Sequence, residues 1–385
     1  MSISRLKYIT KIGVEQMGDL ANSLKDPSVL RLENLDTNIS PPKEAIEHTR
    51  EAVYQKNSNS YLPFIGKESL RKEVTNLVNK NSGQNYDWKT ESIISAGGLS
   101  GILNALLATL EPGDEVLLTD PTYVGLINRV RLAGGIPHYV PLIPEKTGWR
   151  LDLEALSKIE TSRIKVALLM SPSMPTGAVF NMEEWTSLIN FCKKADCWLI
   201  NDSAMERILF DKLKVIHPAT FDGMRDRVIT IGSASKEYRM IGWRVGWIVG
   251  TAKIIEDIAR ISITNVVCQT GIAMEAVAKA MTSHDDGILN SAKKLEKRRD
   301  FLLQELSEYQ LIPPHGGWSL LVDVSKFGLD GSTASARLLK KGKIAATPMI
   351  NWGSKNCEKY VRLVFSNESI NRLKDIKDRF KKSFD

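Results

Sequence analysis

Apolar runs that alternate with segments of helical spacing are the feature of this sequence that most restricts its fold. The runs are continuously rather than alternately apolar, which is typical of strands buried on both faces in a parallel sheet covered by helices. Strand and helix patterns that alternate in this way favour an α/β fold with right-handed crossovers. A small or polar residue follows each run, and four runs occupy the middle of the chain: Glu115–Thr119, Lys165–Met170, Cys197–Asn201 and Val228–Ile231.

The pattern changes after about residue 252. Longer helical patterns cover Ala252–Thr282 and Leu289–Tyr309, and two short strand patterns, Ser319–Val324 and Tyr360–Phe365, follow them. An amphipathic helix is expected over Asn371–Asp385. The change predicts a second, smaller α+β domain in the C-terminal part of the chain.

Composition narrows the classes of function. The 385 residues include 52 Lys and Arg against 45 Asp and Glu, a dilute surplus that is densest in the predicted C-terminal helix, so nucleic acid is not expected as a partner. No apolar run reaches the roughly 18 residues of a transmembrane helix, and we expect a soluble cytoplasmic protein with no membrane partner. No metal site is predicted, because the cysteines form no C-x-x-C pair and the histidines no H-x-H or H-E-x-x-H group.

The most informative segment is Gly232–Trp247, with the sequence GSASKEYRMIGWRVGW. Lys236 follows directly after a predicted buried strand, where poor hydration lowers the pKa of an amine and frees it to form a Schiff base. The hydroxyls of Ser233 and Ser235 and the planar guanidinium of Arg244 suit a phosphate. A solvated loop lysine among turn glycines is the alternative interpretation, and the S-x-S-K pattern alone does not exclude it.

The same segment resembles the lysine segment of the fold type I enzymes that depend on pyridoxal 5′-phosphate. Over nearly its whole length the chain is similar to the class I and II aminotransferases related to aspartate aminotransferase. The resemblance implies that Lys236 binds the cofactor as a Schiff base and moves a proton between the substrate Cα and the cofactor. It also implies that Ser233 and Arg244 bind the cofactor phosphate and that Ser235 contacts the cofactor.

Three residues near predicted strands match catalytic or substrate-binding positions of that family. Asp202 ends a strand, where α/β sheets bind ligands, and its carboxylate can keep the pyridine nitrogen protonated. Tyr123 matches the aromatic residue that stacks on the cofactor ring. Arg362 matches the arginine whose planar fork binds the substrate α-carboxylate through two parallel hydrogen bonds. A strand cap, a core tyrosine and a structural ion pair are the respective alternatives.

Two segments match the family's phosphate-binding positions. The turn Gly97-Gly98-Leu99-Ser100 lies between a strand and a helix, whose first backbone N–H groups form an anion site. Leu99 stands where relatives usually carry Ser, Thr or Gln, with Ser100 as a substitute donor. Tyr61 resembles the tyrosine that reaches the phosphate of the neighbouring subunit, which implies a homodimer with shared active sites.

Two methionines depart from the family pattern within the same part of the site. Met174 stands where Asn is expected in the loop 171–177, and Met205 stands where Tyr is expected, three residues after Asp202. In relatives the Asn and Tyr donate hydrogen bonds to the cofactor O3′ atom, and a thioether donates none. The loss of both donors predicts a raised pKa for the Lys236 Schiff base, which then stays protonated at neutral pH.

The substrate is left open by the sequence. Asp36 and Asn38 lie where relatives carry a glycine-containing substrate loop, and they are predicted to face the substrate side chain and to favour a polar or cationic one. Met349 replaces the Gly that usually follows a proline at the position of Pro348. Because these positions set specificity in relatives, the resemblance does not identify the amino acid that is used.

Taken together, the matches predict an aminotransferase that moves the amino group of an L-amino acid to a 2-oxo acid. A lyase, cyclase or oxidase of the same fold, acting on an amino acid, is the alternative, because the two methionines alter the surroundings of the reactive ring. A non-catalytic cofactor-binding regulator is a third. The resemblance also implies a large cofactor-binding α/β domain at residues 49–282 and a small domain formed by residues 1–48 and 283–385.

Overall fold

The computed structural model describes residues 4–283, 287–309 and 311–384. The strands of these residues are β1 Leu30–Arg31, β2 Ser92–Ser95, β3 Glu115–Asp120, β4 Ile136–Glu145, β5 Gly148–Leu151, β6 Ile164–Met170, β7 Trp198–Asp202, β8 Val228–Ser233, β9 Gly246–Val249, β10 Leu311–Ile312, β11 Ser319–Asp323, β12 Ile344–Ala345, β13 Thr347–Pro348 and β14 Tyr360–Val364.

The α-helices of the same residues are α1 Val14–Ser23, α2 Lys43–Ala52, α3 Glu68–Ser82, α4 Gly98–Thr109, α5 Val124–Leu132, α6 Leu153–Lys158, α7 Met182–Ala195, α8 Ala234–Glu237, α9 Ala252–Asn265, α10 Gly271–Thr282, α11 Ile288–Glu305, α12 Gly331–Gly342, α13 Ile370–Leu373 and α14 Ile376–Phe384.

The large sheet has the strand order β2-β9-β8-β7-β6-β3-β4-β5. Its five central strands run parallel, while β9 pairs antiparallel with both β8 and β2, and β5 pairs antiparallel with β4. Strands β6, β7 and β8 are buried along almost their whole length, as their continuously apolar sequences predict. The predicted α/β fold with a mostly parallel sheet is therefore confirmed.

Both chain ends contribute to the smaller unit. An antiparallel sheet of order β10-β11-β14-β13 forms its centre, and helices α12 and α14 pack against each other beside it. The N-terminal strand β1 pairs in parallel with β12, and the N–H group of Val364 donates to the carbonyl of Leu32 at 2.8 Å. These contacts bring the start of the chain to Arg362 on β14, and through it to the carboxyl ends of the large sheet.

The predicted single helix over Ala252–Thr282 is wrong. The chain forms two helices, α9 and α10, with a break in which Val267 has a φ of 69°. The two helices have different partners, since α9 packs on α4 and β2 while α10 packs on α2 and α3. Gly271 begins α10 so close to Ser58 that a Cβ would lie 2.2 Å from its carbonyl oxygen. Tertiary packing therefore overrides the continuous helical pattern.

Other helix and strand bounds also differ from the predicted ones. The predicted helix Leu289–Tyr309 ends earlier, at Glu305, and the predicted C-terminal helix is divided into α13 and α14 before Asp385, which lies outside the described residues. In the large sheet, strands β4, β5 and β9 are additional to those predicted. Strand β4 contains three prolines, at positions 137, 141 and 144, and β9 begins within the glycine-rich lysine segment, so neither has an ordinary strand sequence.

Candidate active site

A cavity of about 210 Å³ lies at the carboxyl ends of β6, β7 and β8. The last residue of each strand, Met170, Asp202 and Ser233, lies on its wall, at the edge of the sheet where α/β folds bind ligands. Most of the predicted site residues line this cavity: Gly98, Leu99, Tyr123, Met174, Asp202, Met205, Ser233, Ser235, Lys236 and Arg244.

Lys236 lies on the short helix α8, directly after β8. Its Nζ atom donates to the carbonyl of Leu35 at 3.0 Å and lies 4.4 Å from the centre of the Trp318 ring. Burial lowers the pKa of the Lys236 amine to about 7; the nearby Arg362 cation adds to this effect, and the negative charge of Asp36 opposes it. At neutral pH this amine is therefore present in substantial amounts both as a base and as an ammonium ion.

Asp202 is the last residue of β7 and is almost fully buried. Burial raises the pKa of its carboxyl group to about 6, and the effect is opposed by the N–H group of Ala204 and the charges of Arg129 and Lys236. The Ala204 N–H donates to Oδ1 at 3.2 Å. Above pH 6 the carboxylate form predominates, so Asp202 presents an anion in an otherwise apolar wall that contains Met174 and Met205.

The first turn of α4 meets Arg244 through closely packed glycines. Gly97, with a φ of 85°, leaves room for the guanidinium, because a Cβ there would lie 2.6 Å from Arg244 Nη2. A Cβ on Gly246 would lie 2.5 Å from the backbone of Gly97 and Gly98. These glycines therefore let the helix start, the arginine and strand β9 approach one another.

Two serine hydroxyl groups lie beside Arg244 in the same part of the cavity. The Ser233 and Ser235 Oγ atoms are 3.0 Å apart, and Arg244 Nη1 donates to Ser235 Oγ at 3.3 Å and to the carbonyl of Ile241 at 2.7 Å. Backbone N–H groups at a helix start, a guanidinium and two hydroxyls together form an anion site of the kind that binds a phosphate.

The aromatic wall is Tyr123, which directly precedes α5. Its ring centre lies 5.4 Å from that of Trp352, at an interplanar angle of 57°. Gly125 lets the ring fold over the start of the helix, since a Cβ there would lie 2.4 Å from Tyr123 Cε1. Burial raises the pKa of the Tyr123 hydroxyl, which therefore stays neutral.

Arg362 is fully buried on β14 and is not on the cavity wall, but its charge acts on Lys236 and Tyr123, which are. Its Nη2 atom donates to the carbonyl of Glu33 at 2.6 Å and to Thr347 Oγ1 at 3.2 Å, and its guanidinium lies 4.6 Å from the Trp352 ring. Burial lowers its pKa to about 10, with Tyr123 and Glu33 opposing the shift. Within the described residues, Nε and Nη1 have no hydrogen-bond partner. Two buried cationic donors without an acceptor are costly unless a ligand anion satisfies them.

The remaining predicted residues lie outside the cavity. Ser100 is on the first turn of α4 but not on the cavity wall, and Tyr61 is 85% exposed on the surface. Asp36 and Asn38 line an adjoining cleft of about 270 Å³ that shares Ile241 with the cavity. The exposed Asp36 carboxylate accepts from the N–H group of Thr37, whereas Asn38 Oδ1 accepts from Arg298 Nη2 at 2.7 Å.

Sequence reasoning missed several residues of the site. Leu35 and Ile241 line the cavity, Trp318 contacts Lys236, and Arg129 interacts electrostatically with Asp202. Leu35 and Trp318 belong to distant parts of the chain, so no local pattern indicates their position.

The described residues hold no group of three or more His, Cys, Asp or Glu side chains that could bind a metal ion. Among the same residues, no helix is both long enough and apolar enough to cross a membrane.

Comparisons with known proteins identify the family of this chain. The family model "Aminotransferase class I and II" matches residues 32–378. The aromatic-amino-acid aminotransferase 2 of Thermococcus litoralis is 28% identical over 382 residues, covering 98% of this chain and 97% of that protein. The probable N-succinyldiaminopimelate aminotransferase DapC of Mycobacterium tuberculosis is 32% identical over 355 residues, covering 91% of this chain and 88% of that protein.

Solved structures show the same relationship. The structure of N-succinyldiaminopimelate aminotransferase from Mycobacterium tuberculosis superimposes with a TM-score of 0.92 at 28% identity and covers 100% of both chains. Aspartate aminotransferase from Thermus thermophilus with maleate has a TM-score of 0.90 at 26% identity, again over 100% of both chains. The chain therefore belongs to the class I and II aminotransferases and is a fold type I transaminase that uses pyridoxal 5′-phosphate.

Proposed function

We propose that this chain carries out its transamination with Lys236, Asp202 and Tyr123 at the reacting centre and Arg362 at the substrate. The observation that carries this proposal is the buried amine of Lys236, which lines the same cavity as Asp202 and Tyr123. Burial lowers the pKa of this amine to about 7. The residues fit pyridoxal 5′-phosphate, since they offer an amine for its aldehyde, a buried anion for its ring nitrogen and a glycine-walled anion site for its phosphate. When bound, this cofactor supplies an electron sink that eases loss of the Cα proton.

Lys236 is proposed to accept and return the Cα proton. A general base is most effective when its pKa lies near the working pH, and burial brings this amine to that range. The Leu35 carbonyl at 3.0 Å and the Trp318 ring at 4.4 Å hold the amine when it is not covalently engaged. Asp202, as a carboxylate above pH 6, would keep the cofactor ring nitrogen protonated.

The cofactor phosphate is proposed to lie between α4 and Arg244. The backbone N–H groups of Gly98, Leu99 and Ser100 begin α4, and Gly97 gives them their approach to the arginine. The hydroxyls of Ser233 and Ser235 lie at the same corner. Tyr123 would support the flat face of the ring. Met174 and Met205 line the same cavity and would offer the cofactor no hydrogen-bond donor, so the predicted rise in the pKa of the Lys236 Schiff base stays part of this proposal.

Arg362 is proposed to bind the substrate α-carboxylate. Its Nε and Nη1 donors are buried and have no partner among the described residues, and a carboxylate is an anion that a guanidinium binds through charge-assisted hydrogen bonds. Nη2 is already held by Glu33 and Thr347, so the fork is fixed in orientation before the substrate arrives. A fixed carboxylate in turn orients the Cα–H bond toward Lys236.

The substrate is proposed to be an L-amino acid with a polar or cationic side chain. The relatives named above act on aromatic amino acids, aspartate and N-succinyldiaminopimelate, so the family alone does not select one. The cleft that adjoins the cavity at Ile241 supports the proposal, because it presents the exposed Asp36 carboxylate. Asn38 lines the same cleft. Its side-chain oxygen, Oδ1, accepts a hydrogen bond from Arg298, so only its side-chain N–H groups are offered to a substrate.

A half-reaction with a panel of L-amino acids tests the proposed function. Adding each amino acid to the holoenzyme should convert the absorbance of the bound cofactor to that of its aminated form, and a 2-oxo acid should reverse the change. Ammonia release or oxygen uptake would instead support the lyase or oxidase alternative, for which the relatives named above give no support. Lys236→Ala should abolish the absorbance of the lysine-bound cofactor, and persistence of that absorbance would contradict the role of Lys236.

The working unit is proposed to be a homodimer with shared active sites, in the cytoplasm. Tyr61 supports the dimer because it is 85% exposed and because other exposed apolar residues, including Phe64 and Tyr54, are near it in the sequence. The location is supported by the four free cysteines, which are typical of a reducing compartment. The division into a large domain at residues 49–282 and a small domain at residues 1–48 and 283–385 remains part of this proposal.

A further inference from the structure

Arg129 on α5 connects two walls of the cavity. Its Nε atom donates to the carbonyl of Leu99 on the first turn of α4, at 2.8 Å. Its Nη1 atom donates to the carbonyl of Gly125 on the first turn of α5, also at 2.8 Å. Leu99 and Tyr123, the residue just before α5, both line the cavity. One guanidinium therefore ties the helix start at the phosphate site to the helix start that carries the aromatic wall.

Arg129 is also a cation without an acidic partner. Although its side chain is half-buried, no carboxylate of the described residues lies within 4.0 Å of its guanidinium. Burial lowers the pKa of Arg129, and the groups that oppose this shift are Tyr123 at the start of α5 and Asp202 at the end of β7. Lys236 on α8 is the other cation that acts on Asp202.

We infer that Arg129 is a positioning residue for the cofactor: its two hydrogen bonds fix the distance between the phosphate site and the ring wall, and its guanidinium adds a positive charge to the surroundings of Asp202. The inference rests on the proposed binding of the cofactor in this cavity. The planar guanidinium of Arg129 and its positive charge make separable contributions to cofactor binding. A lysine at position 129 keeps the charge but cannot make the same two bonds in one plane, whereas a methionine keeps most of the volume and loses both.

The test measures binding rather than turnover. Pyridoxamine 5′-phosphate is the probe, because it has the ring nitrogen and phosphate of the cofactor but cannot form a Schiff base with Lys236. Its dissociation constant for the apoprotein is followed by quenching of tryptophan fluorescence between pH 5.5 and 8.5. The wild-type protein is compared with Arg129→Met, Arg129→Lys and the control Arg131→Met. Arg131 lies on the same helix but donates to the exposed carbonyl of Tyr8.

We expect Arg129→Met to weaken binding about tenfold at pH 7.5, and to move the acid limb of the binding curve to higher pH, because protonation of Asp202 then begins earlier. Arg129→Lys should weaken binding but leave the acid limb in place, and Arg131→Met should match the wild type. An Arg129→Met protein with wild-type affinity and acid limb overturns the inference, as does an effect of equal size in Arg131→Met. If Arg129→Met does not fold, wild-type affinity in Arg129→Lys overturns it. Failure of the wild-type protein to bind the probe would instead overturn the proposed function.

Discussion

At the scale of single residues, the lowered pKa of the Lys236 amine carries a cost in stability. The amine has a pKa of about 7 in the folded apoprotein against 10.5 in an unfolded chain, so the unfolded state binds more protons between these values. The folded state is therefore disfavoured by on the order of a few kcal/mol below pH 7, and the penalty declines as the pH rises toward 10.5.

Lys236→Met should consequently stabilise the apoprotein. Its gain in the free energy of unfolding over the wild type should be largest at pH 6 to 7 and should shrink toward pH 10, as measured by urea denaturation at several pH values. Lys253→Met, at an exposed position of α9, is the matched control and should show no such dependence. A gain that is constant across this range would contradict the lowered pKa.

Arg362 is the second residue for which the structure predicts the effect of a substitution, here a loss of affinity for the amino-acid substrate. Arg362→Lys keeps the positive charge but removes the two unpartnered guanidinium donors, Nε and Nη1. The KM for the amino acid should rise about 10- to 100-fold, because a lysine ammonium does not reproduce the planar set of donors that a guanidinium offers to a carboxylate. The affinity of the apoprotein for pyridoxamine 5′-phosphate should stay within about threefold of the wild type. Equal losses in both measurements would show that the variant disturbs the fold instead.

At the scale of elements, the start of α4 depends on one glycine. Gly97 and Gly113 both have a positive φ, of 85° and 96°, but only a Cβ on Gly97 meets another group, namely Arg244 Nη2 at 2.6 Å. Gly97→Ala and Gly113→Ala should therefore lose similar stability from backbone strain, about 1 kcal/mol each. Only Gly97→Ala should also weaken binding of pyridoxamine 5′-phosphate, by about tenfold or more. Fluorescence titration and thermal unfolding check both statements, and equal affinities would contradict the proposed phosphate site.

Individual strands and helices also show which parts of the fold a local sequence pattern can predict. Strands β6, β7 and β8 were predictable because both of their faces are buried, which leaves a continuous apolar signature. The break between α9 and α10 was not, because both helices are amphipathic and only their different packing partners separate them. Strand β4 was hidden by its prolines. They are tolerated because Ile136–Pro141 pair only with β3 and Leu142–Glu145 only with β5, so each part of the strand has one unpaired side.

At the scale of the whole molecule, the proposed shared site can be tested by complementation. Tyr61→Ala and Lys236→Ala subunits should each have low activity alone, but mixed dimers should regain activity, because one of their two sites combines an intact Lys236 with an intact Tyr61 from the neighbour. Subunits are mixed after mild denaturation and refolding, and the activity is assayed with a substrate found in the amino-acid panel.

The control for this experiment is a mixture of Lys236→Ala and Asp202→Ala subunits. These two residues line the same cavity of one chain, so every mixed dimer lacks one of them in each site and no activity should return. Recovery in the control, or none in the Tyr61 mixture, would contradict a site to which Tyr61 of the neighbouring subunit contributes.

The sequence by itself determined the fold class, because the buried strands have continuously apolar patterns that can be read within about ten residues. It also placed Lys236, Asp202 and the Gly97-Gly98 turn at or just after the ends of such strands. Only the tertiary structure showed that Arg362 keeps two donors free, that Asn38 is engaged by Arg298, and that Arg129 joins α4 to α5. These contacts join residues from different elements. Their geometry depends on strand register and helix packing, which local spacing does not specify.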